Sequence, residues 1–564
     1  MNRLTMVLWS LLAGGAGALT AHAQTGAAIP IFSFSGGATN GAAPEGNLVL
    51  GPDGNFYGTT QGGGTTNGYG TIFKMTTGGV LTTLATFTGT NGVNPLAGLT
   101  LGPDGNFYGT TEYGGTNFGT QTISGGLGAG SVFRVTTNGT LTTLATFAVT
   151  NGQSPHAGLT WGPGGLFYGT TASGGPYGAG TIFTVTTSGT LTMLTNFNSS
   201  DGADPVAALT VGPDGNLYGT AESAGANSGG TLFRVTPTGI LTTLYNFGAT
   251  ATNGASPQTT LTLGPDGCLY GATADSSVNL VQIFPGYYYP IPTGSGTIYK
   301  TTTNGTLTTL IDFDFYDGGS PVGSLTLGPD GNFYSTTYLG DNGDNSNMGI
   351  VYSLTTNGVF AVLAGFDGPN GAYPISGLTL GPDNNFYGGS AGGGTYGNGT
   401  VYKLGLSPSF VSNPASQSVV IGNPATFSCN MFGTAPFAFQ WWSNSVPVAG
   451  AAGGSLKLPG VFYQANNARF QVVVTNSYGS ATSQVASLSV VLQPNCSAVL
   501  NQGGGNYTVV VGSFPSSQNH LWATTNLSSS WQQIAPITTD ANGMGQYLDT
   551  DPADPAKFYR LSYP

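Results

Sequence analysis

One short segment recurs seven times along the chain and constrains its fold more than any other feature. In its fullest form it reads Gly-Pro-Asp-Gly-Asn-Phe-Tyr-Gly, and its copies begin at Gly51, Gly102, Gly162, Gly212, Gly264, Gly328 and Gly381. Copies that lie 50 to 64 residues apart indicate a repeat architecture, in which each unit is a small group of strands that needs its neighbours to bury an apolar face.

The alternation of apolar and polar residues predicts four strands in each unit. In the second unit these are residues 98–101, 106–111, 131–136 and 140–147, joined by a Pro-Asp-Gly turn, a glycine-rich loop and an Asn-Gly hairpin turn. Four antiparallel strands in a unit of about 50 residues are typical of the blade of a β-propeller.

The two ends of the repeat region indicate how the units are completed. The seventh unit stops after its third strand, near Leu404, whereas residues 29–34 match a fourth strand. Pairing these two segments would remove two exposed sheet edges. We therefore predict an all-β fold with a seven-bladed β-propeller over residues 29–406, and the alternative is an open solenoid.

Charged side chains recur at fixed positions of the units. The turn aspartates are Asp53, Asp104, Asp214, Asp266, Asp330 and Asp383, and the bases at the fourth position of strand three are Lys74, Arg134, Arg234, Lys300 and Lys403. Both positions lie on the same side of an antiparallel blade, so we predict a structural ion pair of about 1 kcal/mol inside the blade. A ring of anion-binding cations is the alternative. Recurring phenylalanines such as Phe56 and Phe73 are expected in the core between blades.

The repeat resembles the GloVer-type tandem repeats of secreted bacterial surface proteins and, more distantly, NHL-type propellers. The resemblance is carried by Gly-Pro-Asp-Gly-Asn-Phe-Tyr-Gly-Thr-Thr at residues 51–60 and by Gly-Thr-Ile-Phe-Lys at residues 70–74. It covers the repeat region and implies an extracellular propeller. It brings no catalytic residues with it.

Composition excludes several classes of function. Of the 564 residues, 6% are charged and 95 are glycine, and the formal net charge is -12. Nucleic acids and anionic membranes require a basic surface, so neither is an expected partner. The three cysteines, Cys268, Cys429 and Cys496, lie far apart and form neither a disulfide framework nor a metal-binding spacing.

Residues 1–23 have the features of a secretory signal peptide. Arg3 precedes an apolar run, and Ala21-His22-Ala23 is a small-x-small cleavage site. The alternative is a single membrane anchor. The glycine and alanine residues in the apolar run argue against this alternative. We expect a secreted or cell-surface protein that is cleaved after Ala23 and is not inserted in the membrane afterwards.

Two smaller β domains are expected after the repeats. Residues 407–492 resemble an immunoglobulin-like domain, with Cys429 on strand B and Trp441 as its buried tryptophan. Val472 and Phe470 stand where such a domain has its second cysteine and its corner tyrosine, so Cys429 should be a free buried thiol. Residues 493–564 resemble the short C-terminal module, ending in Phe-Tyr-Arg and an apolar residue, of many secreted bacterial proteins.

Candidate ligand-binding residues lie in the loops, since insertions on one face of a repeat array mark its recognition surface. The candidates are Tyr287, Tyr288, Tyr289, His156, Glu112 and Tyr113. The three consecutive tyrosines suit stacking on sugar rings or anchoring a protein, and local packing of a long loop is the alternative. Asp341, Asp344, Asn345 and Asn347 offer oxygen ligands for Ca²⁺ but lack the EF-hand pattern.

The sequence favours a non-catalytic recognition or adhesion protein that binds an extracellular glycan or protein as a monomer. It contains no Ser-His-Asp arrangement, and its two histidines after the signal peptide, His156 and His520, fall in different predicted domains. No cofactor is expected, and Ca²⁺ is the candidate ion. The alternatives are an extracellular propeller enzyme that acts on polysaccharide or lactone through carboxylates, and a purely structural matrix protein.

Overall fold

The structure is a computed structural model, and it describes most of the chain after the first 24 residues. The described residues are 25–37, 40–116, 118–119, 127–250, 253–275, 277–284, 287–293, 295–313, 318–340, 347–492, 495–503, 506–525, 527–528, 530–550 and 557–562. The predicted signal peptide lies outside these ranges. Within them the chain folds into β-strands and two short 3-10 turns, Pro163–Gly165 and Tyr463–Ala465, so the predicted all-β class is confirmed.

Seven four-stranded sheets follow the seven copies of the motif, and we number the sheets 1 to 7 in the order of those copies. Strand β1 spans Gly26–Ser33. The next strands are β2 (Val49–Leu50), β3 (Phe56–Thr60), β4 (Thr71–Met75) and β5 (Leu81–Thr86) in sheet 1, and β6 (Thr100–Leu101), β7 (Phe107–Thr111), β8 (Ser131–Val135) and β9 (Leu141–Thr146) in sheet 2. Sheet 3 contains β10 (Thr160–Gly162), β11 (Leu166–Thr171), β12 (Thr181–Val185) and β13 (Leu191–Asn196).

The remaining sheets of the repeat region have the same strand order. Sheet 4 contains β14 (Thr210–Val211), β15 (Leu217–Ala221), β16 (Thr231–Val235) and β17 (Leu241–Asn246). Sheet 5 contains β18 (Thr262–Leu263), β19 (Leu269–Thr273), β22 (Thr297–Thr301) and β23 (Leu307–Asp312), with a separate hairpin of β20 (Ser277–Phe284) and β21 (Tyr287–Thr293) between its second and third strands. Sheet 6 contains β24 (Thr326–Leu327), β25 (Phe333–Thr337), β26 (Ile350–Leu354) and β27 (Phe360–Gly365), and sheet 7 contains β28 (Thr379–Leu380), β29 (Phe386–Ser390) and β30 (Thr400–Leu406).

The N-terminal strand completes the last sheet, as the sequence predicts. Strand β1 pairs antiparallel with β30, with Gly26 opposite Leu406 and Ser33 opposite Thr400. The fourth strand of sheet 7 therefore comes from the opposite end of the repeat region, and the edge of β30 is covered.

The prediction of a seven-bladed β-propeller is wrong. In the described part of the chain, the hydrogen-bonded ladder of each of sheets 1 to 7 ends at its fourth strand. Apart from the β20–β21 hairpin, the repeat region consists of these separate four-stranded antiparallel sheets, with no closed barrel or propeller. The alternation of residues in the sequence specifies pairing within one unit, because that pairing depends on local turns and on which strand faces are apolar. It does not specify how the units are joined.

Neighbouring sheets contact one another through a repeated hydrogen bond. The threonine that begins strand one donates its hydroxyl to the carbonyl oxygen of a leucine in another sheet, at 2.5 to 2.6 Å. The pairs are Thr100 with Leu159, Thr160 with Leu209, Thr210 with Leu261, Thr262 with Leu325, Thr326 with Leu378, and Thr379 with Leu48. In sheet 1 the corresponding position is Val49, which has no hydroxyl.

Aromatic side chains fill the space between the sheets. The motif tyrosine of one sheet packs on the motif phenylalanine of another, with ring centroids 4.1 Å apart for Tyr57 and Phe107 and 4.3 Å apart for Tyr108 and Phe167. These residues are at most 1% exposed. The predicted role of the recurring phenylalanines in the core is confirmed.

The turn aspartate is held by the tyrosine of its own motif. In six sheets the tyrosine hydroxyl donates to the aspartate at 2.8 to 3.0 Å: Tyr57 to Asp53, Tyr108 to Asp104, Tyr218 to Asp214, Tyr270 to Asp266, Tyr334 to Asp330 and Tyr387 to Asp383. Sheet 3 has Gly164 in place of the aspartate, and there Tyr168 donates to the carbonyl oxygen of Pro163 at 3.0 Å.

The predicted ion pair between the turn aspartate and a strand-three base is confirmed in three sheets. The nitrogen to oxygen distances are 2.6 Å for Lys74 and Asp53, 3.5 Å for Lys300 and Asp266, and 2.8 Å for Lys403 and Asp383. Within the described ranges, Arg134 and Arg234 form no such ion pair. Tyrosine is therefore the shared partner of the turn aspartate, and lysine is an addition in some sheets.

Residues 407–492 form three further sheets around one core. Their strands are β31 (Ser409–Ser412), β32 (Gln417–Val420), β33 (Ala425–Ser428), β34 (Asn430–Phe432), β35 (Ala438–Ser443), β36 (Val446–Pro447), β37 (Ser455–Leu458), β38 (Ala468–Asn476), β39 (Gly479–Thr482) and β40 (Ala486–Val491). The largest sheet has the order β32-β40-β38-β35-β36, with β39 on β38. As predicted, Trp441 is fully buried, and Cys429 is a buried free thiol.

The last strands form two three-stranded sheets. They are β41 (Asn495–Gly503), β42 (Asn506–Gly512), β43 (Gln518–Thr524), β44 (Gln532–Thr538), β45 (Met544–Asp549) and β46 (Phe558–Ser562). The Arg560 guanidinium lies over the rings of Trp522 and Trp531, at 5.5 and 4.7 Å from their centroids. No helix among the described residues is long and apolar enough to cross a membrane.

Candidate functional site

A pocket of about 410 Å³ lies where the segments leading into the first strands of sheets 1 to 6 come together. Its wall consists of residues 45–47, 96–100, 156–160, 206–209 and 324–326, together with Gln258, Thr260 and Thr262. The position directly after the repeat proline is polar in three units, as Glu45, His156 and Gln258, and apolar in the other four. The pocket therefore presents side chains that differ from unit to unit on a repeated backbone.

The backbone that enters the pocket is strained in the same way in every unit. The residue before the repeat proline has a positive φ of 49° to 56° although none of these residues is glycine: Ala43, Asn94, Ser154, Asp204, Ser256, Ser320 and Tyr373. This left-handed conformation is unfavourable for a residue with a Cβ and persists where the surrounding structure imposes it. It sets the direction of the residue after the proline at the pocket wall.

His156 is held in position by an acid from the neighbouring sheet. Its Nε2 lies 3.1 Å from Oε1 of Glu112, whose side chain is 13% exposed. The amide of Asn94 donates to the other carboxylate oxygen at 3.5 Å. Burial alone would raise the pKa of Glu112, but hydrogen bonds from His156 and Tyr113 outweigh it and lower this pKa below its usual value. Glu112 is therefore ionised and fixes the imidazole.

Gln258 is held by an equivalent contact two units further along. Its Nε2 donates to Oε1 of Glu222 at 2.8 Å. Burial raises the pKa of Glu222, and this hydrogen bond opposes the rise only in part. Because Glu112 and Glu222 occupy the same position of the repeat, two acids at one repeat position orient two polar residues of the pocket wall.

Glu45 differs from the other two glutamates in having no such support. The repeat position that would face it is Ala391, and no hydrogen bond to the Glu45 carboxyl group forms within the described residues. Burial, together with repulsion from Glu112, raises the pKa of Glu45 to about 7. The pocket thus combines one carboxyl group that is neutral at slightly acidic pH with a second that is ionised nearby.

The structure brings together some of the predicted site residues. Glu112, Tyr113 and His156 form one hydrogen-bonded group beside the pocket. The three consecutive tyrosines do not belong to an irregular loop, as their backbone is part of strand β21, in which Tyr287, Tyr288 and Tyr289 lie opposite Phe284, Gln282 and Val281 of β20.

Of the four predicted calcium ligands, one lies among the described residues. Asp341, Asp344 and Asn345 lie outside the described residues. Asn347 is described, and its Oδ1 accepts a hydrogen bond from the backbone N–H of Gly340 at 2.8 Å, which gives it a structural contact. In the described ranges, no group of three or more His, Cys, Asp or Glu residues is placed to hold a metal ion.

Sequence reasoning missed Glu45, Gln258 and Glu222 as part of one site. A signal was present, because the residue after the repeat proline and the residue after strand two vary between units while their neighbours repeat. Finding the site from this signal requires knowing that the two positions meet between sheets. That contact is made by residues 36 to 44 apart, in different units.

Residues 12–120, 116–284 and 288–420 match the Gloeobacter/Verrucomicrobia repeat, and together they cover well over half of the chain. The chain belongs to the Gloeobacter/Verrucomicrobia repeat family. The matches of this family include all seven copies of the motif and every residue of the pocket wall. No curated protein matches the chain.

Some solved structures are similar to a small part of this family member. They include a chimeric titin Z1Z2, with 22% identity, 15% of this chain and 94% of that chain covered and a TM-score of 0.14. A twitchin kinase fragment from C. elegans matches with 22% identity, 15% and 20% coverage and a TM-score of 0.14. Duf (Kirre) D1 matches with 19% identity, 15% and 96% coverage and a TM-score of 0.14. These TM-scores are too low to establish a shared fold.

Proposed function

We propose that this chain is a non-catalytic recognition protein, secreted or held at the cell surface, that binds an extracellular glycan or protein. The observation that carries the proposal is the pocket at the first strands of sheets 1 to 6, whose wall varies between units on a repeated scaffold. Variation on a fixed scaffold is how repeat proteins acquire binding specificity.

The hydrogen bonds behind the pocket wall favour a ligand with several hydroxyl groups. His156 and Gln258 are positioned by acids before any ligand arrives, so little side-chain freedom is lost on binding. The wall also includes threonines of strand one, whose hydroxyl oxygens donate to leucine carbonyls and can still accept. Such closely spaced donors and acceptors suit the hydroxyl groups of a sugar.

The rest of the chain fits an extracellular role. Residues 1–23 would be removed as a signal peptide. Residues 407–492 would be an immunoglobulin-like spacer, which the burial of Trp441 between sheets supports. Residues 493–564 would form a small terminal module. The mature protein would act as a monomer without a cofactor.

A glycan array with the mature chain tests this proposal, with and without Ca²⁺. The variants His156→Ala and Gln258→Ala should each weaken binding of any glycan hit at least about 10-fold, the cost of losing one good polar contact. The matched controls are His520→Ala and Gln533→Ala. These residues are likewise a histidine and a glutamine held by a hydrogen bond, here between the two of them at 2.8 Å, but they lie in the last sheets. Equal losses in the controls would contradict a ligand site at the pocket.

A second candidate function is an extracellular enzyme that acts on polysaccharide or lactone. One observation favours it: the pKa of Glu45 is raised to about 7 while that of Glu112 is lowered. A neutral carboxyl group that can donate a proton, close to a carboxylate that can accept one, is the arrangement used in acid and base catalysis.

Turnover assays on each bound glycan separate the two functions. For an enzyme, Glu45→Gln and Glu112→Gln would abolish turnover of a ligand that still binds. For the recognition protein that we propose, neither the parent nor these variants convert the ligand. Turnover by the parent that is lost in Glu112→Gln would overturn the non-catalytic proposal.

A further inference from the structure

A second pocket lies in the sheets that follow the repeat region. Trp441 and Trp442 are consecutive in strand β35, and because strand residues alternate between faces, Trp441 is buried in the core while Trp442 lines the pocket on the other face. The pocket has a volume of about 290 Å³, and it is also lined by Arg469 and Gln471 of strand β38, in which Gln471 pairs with Trp442. The turn at Asn444 and Ser445 closes one end.

The wall of this second pocket is fixed by hydrogen bonds. The backbone N–H of Asn444 donates to the carbonyl oxygen of Arg469 at 2.8 Å, and the N–H of Arg469 donates to Oδ1 of Asn444 at 2.9 Å. The Gln471 amide donates to the carbonyl oxygen of Ser483 at 2.8 Å. In contrast, Nε1 of Trp442 is buried without a hydrogen-bond partner in the described structure.

The charge around this pocket differs from that of the rest of the chain. The sequence has a formal net charge of -12, yet it contains no Asp or Glu between Asp383 and Asp540. Arg469 accordingly forms no ion pair with any described residue. An unneutralised guanidinium beside an aromatic ring and the apolar side chains of Val473 and Val485 favours an anionic ligand with an apolar face.

We propose that this second pocket binds a sugar ring that carries a carboxylate, such as a uronic acid residue of an acidic polysaccharide. Arg469 pairs with the carboxylate through parallel N–H groups, a geometry that suits guanidinium. The Trp442 indole covers the apolar face of the sugar ring. The pocket volume is at the lower end of the range for ligand pockets and fits one sugar ring. The pocket is also concave, whereas a protein partner requires a broad surface.

Binding of trigalacturonic acid to the mature chain tests this inference, measured by calorimetry. We expect Arg469→Gln to weaken binding at least 10-fold and Arg469→Lys to weaken it less, because lysine retains the charge without the paired donors. Trp442→Ala should also weaken binding, as it removes the ring that covers the sugar. The matched control is Lys457→Gln, because Lys457 is the other cation in residues 407–492 and is exposed on strand β37, away from the pocket wall.

Three comparison ligands make the outcome decisive. The methyl ester of trigalacturonic acid has the same rings without charge and should bind at least 10-fold more weakly. If the parent bound this ester as tightly as the acid, the role of the carboxylate would be overturned. The same holds if Arg469→Gln bound the acid as tightly as the parent does. A neutral galactose trimer should bind as weakly as the ester. An oligoglutamate peptide that binds more tightly than the sugar acid would overturn the proposal in favour of an acidic protein partner.

Discussion

The two ends of the seven sheets are built from one repeat but differ in what they keep constant. At the turn end, a tyrosine hydroxyl contacts the turn aspartate in six sheets with distances that span 0.2 Å, from 2.8 to 3.0 Å. At the pocket end, equivalent positions hold glutamate, histidine, glutamine and apolar residues. The polar contacts of the turn end are made within each sheet, whereas those of the pocket end are made between sheets, so the polar residues of the pocket end can vary without loss of the repeat.

The difference between the two ends separates residues that stabilise the fold from residues that are available for recognition. The turn end buries aromatic rings and pairs each turn aspartate with the tyrosine of its own motif. The pocket end retains a carboxyl group, Glu45, that burial and a neighbouring charge make unfavourable in its ionised form. An unfavourable group in a pocket is the kind of feature that function rather than stability explains.

The largest expected effect is at the turn end, where Phe107 packs on Tyr57. We expect Phe107→Ala to lower the free energy of unfolding by about 3 to 5 kcal/mol, because it leaves a cavity between two sheets. The control is Phe107→Leu, since Leu217 and Leu269 occupy this position in sheets 4 and 5, and it should cost less than about 1.5 kcal/mol. Denaturant unfolding measures both. Similar costs for the two variants would show that the cavity left by the smaller side chain does not set the cost.

The next effect has the opposite sign and lies at the pocket end. The folded pKa of Glu45, about 7, exceeds its ordinary value of 4.5, so the parent loses stability as pH rises from 4.5 to 7. We expect Glu45→Gln to match the parent below this window and to be more stable above it, by about 1 to 2 kcal/mol after allowance for solvent screening. Thermal unfolding across pH 4 to 8 measures the gain.

Glu112→Gln is the matched control for Glu45→Gln. The folded pKa of Glu112 is lowered, so its contribution is present above the unfolded pKa and is lost as pH falls through the folded pKa. Glu112→Gln should therefore destabilise the protein at neutral pH. If both glutamine variants shift stability in the same direction, the two carboxyl groups do not differ as the structure indicates.

A smaller effect is expected from the hydroxyl of Tyr218, which donates to Asp214 at 2.8 Å. Tyr218→Phe should cost about 1 kcal/mol at neutral pH, because the carboxylate is exposed and the hydrogen bond is screened. Burial is the largest single effect and opposes ionisation, but the hydrogen bonds from Asn216 and Tyr218 together outweigh it and lower the pKa of Asp214. The cost should thus persist above the unfolded pKa and shrink as pH falls through the folded pKa.

Tyr168→Phe is the matched control in sheet 3. Tyr168 donates to the backbone carbonyl of Pro163, which does not titrate, so the cost of this variant should be the same at every pH. Chemical unfolding at acidic and neutral pH compares the two variants. A pH-dependent cost in Tyr168→Phe would mean that the aspartate is not the source of the difference.

The smallest expected effect is at Lys74, which pairs with Asp53 at 2.6 Å near the surface. Lys74→Met should cost about 0.5 kcal/mol, and the cost should fall in roughly 1 M salt, since both side chains are accessible to solvent. It makes sheet 1 like sheet 6, in which Ser353 occupies the position of the lysine. Lys457→Met, at an exposed residue outside the repeats, is the control. A cost above that of Tyr218→Phe would make lysine, rather than tyrosine, the main partner of the aspartate.

The local parts of the fold were predictable from the sequence. Strand alternation and the Pro-Asp-Gly turns predict the four-stranded units, and the missing last strand predicts the pairing of β1 with β30. The tyrosine partner of the aspartate was missed, although the two are four residues apart in every motif that has both. Attention to charge favoured lysine, whereas a neutral hydroxyl makes the contact in all six sheets.

The candidate site was predictable only in fragments. Glu112, Tyr113 and His156 were recognised, but Glu45 and Gln258 were not placed with them. The prediction of a closed propeller also failed, since the described ladders end within single sheets. In both cases the missing information concerned contacts between units, for which residue alternation provides no evidence.

By itself, the sequence determined the all-β class, the number of repeated units, the strands within each unit and the membership of the chain in a repeat family. These follow from turns and from a period of two residues, which act over a few residues of chain. The tertiary structure decided which residues from different units share a pocket, and hence that Glu45 has no hydrogen-bond donor among the described residues whereas Glu112 has several. The reason is that burial and neighbouring charge, which set a pKa, depend on residues that are distant in the chain.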